Sequence, residues 1–153
     1  MKLLGVDVGE RRIGVALGDL STGDVRPLAT IRRQDANHDA VALRRLADEQ
    51  GATELVVGLP LVADGSEGTQ AALTRAWAAE VTPALGLPVA WRDERHTSQM
   101  AEERVGAFAR RGRSGGPPSV AARRAHRARI DREAAASIVQ AELDARSARE
   151  GVS

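Results

Sequence analysis

No cysteine occurs in the chain, which excludes disulfides and thiolate-held metals and leaves oxygen atoms and His38, His96 and His126 as the available ligands. Aromatic side chains are almost as scarce. Trp77, Trp91 and Phe108 are the only ones, too few to stack a run of bases, so any hold on nucleic acid has to rest on backbone charge and shape. Lysine is present once, at Lys2. Long apolar runs are missing too. The one at the N-terminus is interrupted by Asp7 almost at once, too early for a signal peptide or a membrane span, and the expectation is a cytoplasmic protein with no membrane contact.

Arginine is abundant and unevenly placed. The formal net charge is only +1, yet the stretch from Arg104 to Ile130 holds eight arginines and no Asp or Glu, so it carries +8 and the remainder −7. Such asymmetry is an electrostatic footprint for a polyanion, because the guanidinium fork matches phosphate geometry. The alternative is a solvated, arginine-biased surface that follows base composition. Within the stretch, Arg110, Arg111, Arg113, Arg123, Arg124, Arg127 and Arg129 are the candidate phosphate contacts.

Hydrophobic period divides the chain. Residues 2–8, 12–18 and 26–32 read as strands, the first two joined by a hairpin through Gly9-Glu10-Arg11. A helix is expected over 37–50, with Val41, Leu43, Leu46 and Ala47 inward and Gly51 as its stop. A buried strand follows at 54–58, then a helix over 69–82 carrying Ala72, Leu73, Ala76, Trp77 and Val81, ended by Pro83, Gly86 and Pro88. Residues 88–92 form the fifth strand, and a third helix runs from Thr97 or Ser98 to about Arg111. Residues 112–119, with paired prolines, read as a loop. The last helix begins within 120–131, packs through Ile130, Ala134, Ile138 and Ala141, and stops near 146, leaving 147–153 as a frayed tail on a single domain of residues 1–146. The order β-β-β-α-β-α-β-α-α implies an α/β fold with a mixed sheet and helices on both faces.

Three acids fall where such a fold can bring them together. Asp7 lies in an apolar strand just before a glycine turn, Asp93-Glu94-Arg95 follows the fifth strand, and Asp131 follows the arginine run on the last helix. The Ala134-Ala135-Ala136 block would let that helix approach the sheet closely. Carboxylates converging without histidine or cysteine suit Mg²⁺ or Mn²⁺, as one ion or two, and phosphodiester hydrolysis. Taken singly, each acid also has an ordinary explanation as a turn cap or half of a surface ion pair.

These residues resemble the YqgF family, also called RuvX, described as Holliday junction resolvases and as nucleases that mature the small-subunit ribosomal RNA precursor. The resemblance spans Leu4 to Leu143 and rests on four motifs in order: Asp7-Val8-Gly9 with Arg12 to Ala16, Val57 to Leu61 with Asp64-Gly65, Asp93-Glu94-Arg95 with Thr97-Ser98 and Ala101, and Asp131 with Ala134-Ala135. It implies an RNase H-like fold with a five-stranded mixed sheet whose first three strands are antiparallel. It also implies Asp7, Glu94 and Asp131 as catalytic metal ligands, with Asp93, Arg95 and Thr97 in support. By the same resemblance, Gly9 and Gly14 let the hairpin turn tightly beside the metals, and Gly58, Pro60 and Gly65 shape a loop at the rim. His96 stands where the family often has an apolar residue, and the segment before Asp131 is richer in arginine and alanine than is usual.

The implied activity is a metal-dependent endonuclease acting on structured RNA or branched DNA, with ribosomal RNA maturation preferred, ribosomal precursor particles as partners, and a monomer or weak homodimer as the assembly. Two readings compete with it. One is a nucleic-acid-binding or ribosome-associated factor without turnover, and the other an actin-like ATPase suggested by the Asp-x-Gly hairpin, for which the chain has room for only one of the two domains required.

Overall fold

The computed structural model describes residues 1–62, 64–93 and 119–150. Short apolar, β-branched runs give β1 (Lys2–Val8), β2 (Arg12–Asp19) and β3 (Val25–Arg32), followed by α1 (Ala36–Gln50), β4 (Ala52–Leu59), α2 (Thr69–Leu85), β5 (Val89–Asp93) and α3 (Val120–Glu150). The five strands form one sheet in the order β3-β2-β1-β4-β5. β2 runs antiparallel to β1 and β3, whereas β4 lies parallel to both β1 and β5. β3 is an edge strand, where Pro27 can stand without breaking an interior ladder, and the β2–β3 register shifts beside it.

The two faces of the sheet are built differently. Leu4, Val6, Val8, Ile13, Val15, Leu17, Leu55 and Val57 point to one side and pack with Leu43 of α1 and with Trp77 and Val81 of α2. On the other side Leu3, Ala16 and Val56 meet Ala135, Ile138, Val139 and Leu143 of α3. Between them the strands present glycine instead of bulk. A Cβ on Gly5 or Gly18 would collide with the Val139 side chain, and one on Gly14 would lie 3.1 Å from the backbone nitrogen of Arg132 and closer still to the carbonyl of Asp131. α3 therefore lies directly on the backbone of β1 and β2.

Several boundaries differ from those expected. α2 passes through Pro83 to Leu85, since a proline in the last turn removes only one donor, and the helix ends at Gly86, whose φ of 72° places it in the left-handed region with its N–H on the Thr82 carbonyl. Its buried face is Ala71, Thr74, Trp77, Ala78, Val81 and Leu85, so Leu73 is 49% exposed; on α1, Val41 is 61% exposed while Ala40 takes the inward place. Fraying does not begin at 147, because α3 continues to Glu150. Arg146 donates to Glu54 of β4 at 2.8 and 2.9 Å and to Glu142 at 2.9 Å, which ties down its last turns. The helix expected over 97–111 and the loop over 112–118 lie outside the described residues.

Two buried acids hold elements together. Asp39, in the first turn of α1, accepts from the Gln34 N–H at 2.9 Å and from Trp77 Nε1 of α2 at 3.1 Å, which joins the two helices under the sheet. Glu142 of α3 is only 3% exposed and accepts from Arg92 of β5 at 2.6 and 2.9 Å as well as from Arg146. Burial alone would push the Glu142 carboxyl up, but the hydrogen bonds from Arg92 and Arg146 outweigh it and hold the group below the usual carboxylate range.

Replacing Gly14 by Ala forces a backbone collision that no rotamer change relieves. It should cost about 3 kcal/mol in chemical denaturation, against about 1 kcal/mol for Gly23→Ala, where only a φ of 79° opposes the new side chain. Equal losses would show that α3 is not seated on Gly14. Because the folded form holds the Glu142 carboxyl low, its contribution is full above the ordinary value of 4.5 and is lost as pH falls through the folded-state value. Wild type should therefore exceed Glu142→Gln in stability at neutral pH, and the gap measured by denaturant titration should narrow below that point.

Candidate active site

Asp7 is the penultimate residue of β1 and lies on the face of Leu3 and Gly5, toward α3. It is half-buried, and its register partner across the ladder is Gly14. Directly opposite residues of an antiparallel pair sit about 4.5–5.5 Å apart. Since the space a Gly14 side chain would fill is taken by the backbone of Asp131, the two acids flank one glycine, one contributed by the sheet and one by the helix.

Arg12 precedes Gly14 by two residues and so shares its face. Its Nε donates to Asp131 Oδ2 at 2.7 Å, with both side chains only partly exposed, so this charge-assisted bond fixes the carboxylate's direction. β3 fixes the helix on either side of that bond: Thr30 Oγ1 donates to the Ala128 carbonyl at 2.7 Å, and Arg132 Nη1 donates back to Thr30 Oγ1 at 3.3 Å. The hairpin turn is closed by the Gly9 N–H on the Arg12 carbonyl at 2.8 Å, while Arg33 Nη1 donates to the Gly9 carbonyl at 3.0 Å. Between turn and helix opens a cleft of about 350 Å³ lined by Gly9, Glu10, Arg11, Arg12, Arg127 and Asp131.

Of the residues singled out in the sequence, Asp7 and Asp131 are brought to one place. Glu94, Arg95, His96, Thr97, Arg110, Arg111 and Arg113 lie outside the described residues. Asp93 ends β5 on the face of Val89 and Trp91, which pack toward α1 and α2, and so stands on the opposite side of the sheet from Asp7. Arg123, Arg124, Arg127 and Arg129 are exposed on the first turns of α3, and Arg127 reaches the cleft. Helical spacing of four and seven sets Arg127 and Arg124 on Asp131's side of the helix; Arg129, two residues from Asp131, points away from it and donates Nε to the Ala125 carbonyl at 3.4 Å.

Gly14 does not serve the turn: it lies within β2, outside the left-handed φ region, and its function in the fold is to be absent as a side chain. Gly9 does close the hairpin. Gly58 pairs with Arg92 within the parallel β4–β5 ladder, and Pro60 follows β4. Gly65, at φ 91°, completes a turn in which Asp64 Oδ1 accepts from the N–H and hydroxyl of Ser66, and a bridge between Leu61 and Glu67 closes the loop. Arg11 and Arg12 belong to the cleft, yet charge counting passed over them because Glu10 stands beside them in sequence. The signal that could have found the seat of Asp131 is the alternation Gly14, Ala16, Gly18, small side chains along one face of β2.

The donor set at this place is all oxygen, which suits a hard divalent cation. Among the described residues no group of three metal-ligating side chains assembles. Nor is any described helix long and apolar enough to cross a membrane.

Known proteins resemble the chain in both sequence and fold. It is 42% identical over 151 residues to a protein of Thermosynechococcus vestitus named "Putative pre-16S rRNA nuclease", covering 96% of this chain and 90% of that one. A protein of the same name from Anaeromyxobacter dehalogenans is 41% identical over 147 residues, covering 96% and 99%. The structure of RuvC from T. thermophilus in complex with a Holliday junction substrate superposes with a TM-score of 0.55 at 17% identity, over 97% of this chain and 96% of that one. The fold is thus that of RuvC, α/β and RNase H-like, with the first three strands antiparallel as the resemblance implied. The family model described as RuvX, Holliday junction resolvase, matches residues 1–145, and with relatives at this identity over nearly the whole length the chain belongs to the RuvX family.

Proposed function

We propose that the chain is a Mg²⁺- or Mn²⁺-dependent endonuclease that matures the 5′ end of the small-subunit ribosomal RNA precursor, acting on structured RNA in precursor particles. The observation that carries this reading is the seating of Asp131 on Gly14 beside Asp7, two hard carboxylates on one face in a member of a nuclease family. The names of the relatives favour a ribosomal RNA precursor over a DNA junction as substrate. Glu94 is taken as the third acid from the family resemblance, and Asp93 is set aside because it lies on the face of Val89 and Trp91, opposite Asp7.

In this reading Asp7, Glu94 and Asp131 hold the metal, which when bound lowers the pKa of water and stabilises the charge that develops on the phosphoryl group. Arg12 keeps Asp131 aimed and supplies a positive charge next to an otherwise acidic cluster. Arg12 and Arg127 both line the cleft, where their guanidinium groups would hold the phosphates on either side of the scissile bond. Arg110, Arg111, Arg113, Arg123, Arg124 and Arg129 would extend that grip along the backbone, and Gly58, Pro60 and Gly65, with Arg95 and Thr97, would shape the rim.

Wild type, Asp7→Asn and Asp131→Asn should be incubated with Mg²⁺ or Mn²⁺ on a precursor ribosomal RNA fragment and on a four-way DNA junction, and the cuts mapped. Each substitution removes a ligand charge worth several kcal/mol in the transition state and should slow cleavage by about 10³-fold with the fold intact by circular dichroism. Cleavage of the junction in preference to the RNA would move the substrate to branched DNA. Equal rates in all three proteins would remove the carboxylates from the chemistry.

A further inference from the structure

Several of the described arginines are spent on carboxylates away from the cleft. Arg44, Arg75, Arg92 and Arg146 each engage a carboxylate: Arg44 with Asp48, Arg75 with Glu67 while lying over the Trp91 ring, Arg92 with Glu142, and Arg146 with Glu54 and Glu142. At the cleft end the pattern reverses. Arg11, Arg32 and Arg127 are exposed and form no ion pair among the described residues. They are close together for topological reasons. Arg32 is the ladder partner of Arg12 and so points to the same side, the Arg33 N–H bonds the Arg11 carbonyl at 2.8 Å, and Arg11 and Arg127 face each other across the cleft that contains Asp131. Arg11 and Arg127 thus border the cleft and Arg32 stands beside them on the same side of the sheet, all three in no ion pair among the described residues, while Glu10 and Asp131 are the acids that line the cleft.

We propose that Arg11 in the β1–β2 turn and Arg32 at the end of β3 form a second phosphate-binding wall, which with Arg127 on α3 grips a nucleic-acid backbone on the β3 side of the acids. The wall rests on the nuclease reading given above and adds to it a direction: the strand leaves the site toward the sheet edge at β3, away from β5. Exposed guanidinium groups set side by side along a cleft match the charge and geometry of a phosphate backbone, so the contact is to phosphate and independent of sequence. Arg12 belongs to the same row, but its Nε is committed to Asp131, which makes it a positioning residue and unsuitable as a probe of binding alone.

The test is a salt titration of binding without turnover. Binding of a fluorescent stem-loop RNA and of a four-way DNA junction in EDTA should be measured from 50 to 200 mM KCl for wild type and for the double variant Arg11→Ala/Arg32→Ala. A charge-matched control, Arg45→Ala/Arg149→Ala, removes two exposed arginines far from the cleft. Loss of two phosphate contacts should make the slope of log K against log salt shallower by about 2, so that the loss of affinity across this salt range shrinks by about tenfold relative to wild type. The control should keep the wild-type slope, and cleavage of saturating substrate by the Arg11/Arg32 variant should keep its rate while KM rises. A variant whose slope matches the control overturns the second wall and leaves the nuclease reading standing. Failure of wild type to bind either nucleic acid overturns both, and a shift in slope without any cleavage by wild type upholds the wall while removing the nuclease.

Discussion

Everything at the candidate site depends on a contact in which one side chain is missing. α3 can lie on β1 and β2 only because Gly5, Gly14 and Gly18 present bare backbone, and at Gly14 the approach is so close that the Asp131 carbonyl occupies the place of a Cβ. Close packing of this kind is intolerant of added volume, so the helix has a single seat and the distance from Asp131 to Asp7 is set by backbone geometry rather than by flexible side chains. The cost is a sheet that contributes little apolar area beneath the middle of the helix. Compensation comes from Leu3, Ala16 and Val56 beneath α3 and from the ion pairs of Glu142 at its far end.

Charge is distributed to match. At the C-terminal half of α3, Arg146 bonds Glu142 and Glu54 and, with Arg92 of β5 on the same Glu142, fastens the helix across β4 and β5. At the N-terminal half the arginines are exposed, and Arg127 borders the cleft that Asp131 and Glu10 line. A buried carboxylate paired with arginines is a fastening, whereas exposed arginines beside a partly exposed carboxylate form a surface for an anion and its counterion. The same residue type on the same helix therefore does two different things, and burial of the partner decides which.

Much of this was legible in the chain. Short apolar runs bounded by turn residues located all five strands and near-fourfold spacing located helices, because β1, β2 and β4 are covered on both faces whereas an amphipathic helix is apolar on one. Pro83 misled because a proline near the end of a helix costs one bond, less than the packing of Leu85 returns. Val41 and Leu73 misled because a helix with many alanines can turn either of two faces inward, and tertiary packing chose Ala40 and Ala71. For the site, the candidate acids Asp7 and Asp131 were readable as chemistry out of place, an acid within an apolar strand and another following an arginine run. The resemblance gave Gly14 a part in the hairpin turn, whereas the contact that requires glycine there is with α3, 117 positions away. The partner of Arg12, a residue read only as part of the Asp7 motif, and the roles of Asp39 and Glu142 went unread for the same reason: the partners lie far along the chain, at Asp131, Trp77 and Arg92, and no local pattern announces them.

The claim at the centre of this account is that Asp7 and Asp131 act on one cation because Gly14 holds them together. The most direct measurement is calorimetric titration of Mn²⁺ into wild type, Asp7→Asn, Asp131→Asn and the double variant, without nucleic acid. Shared coordination predicts that each single substitution weakens binding by at least tenfold and that the double variant loses little more, the two effects being strongly non-additive. Independent, additive losses, or Mn²⁺ binding unchanged in either single variant, would contradict it.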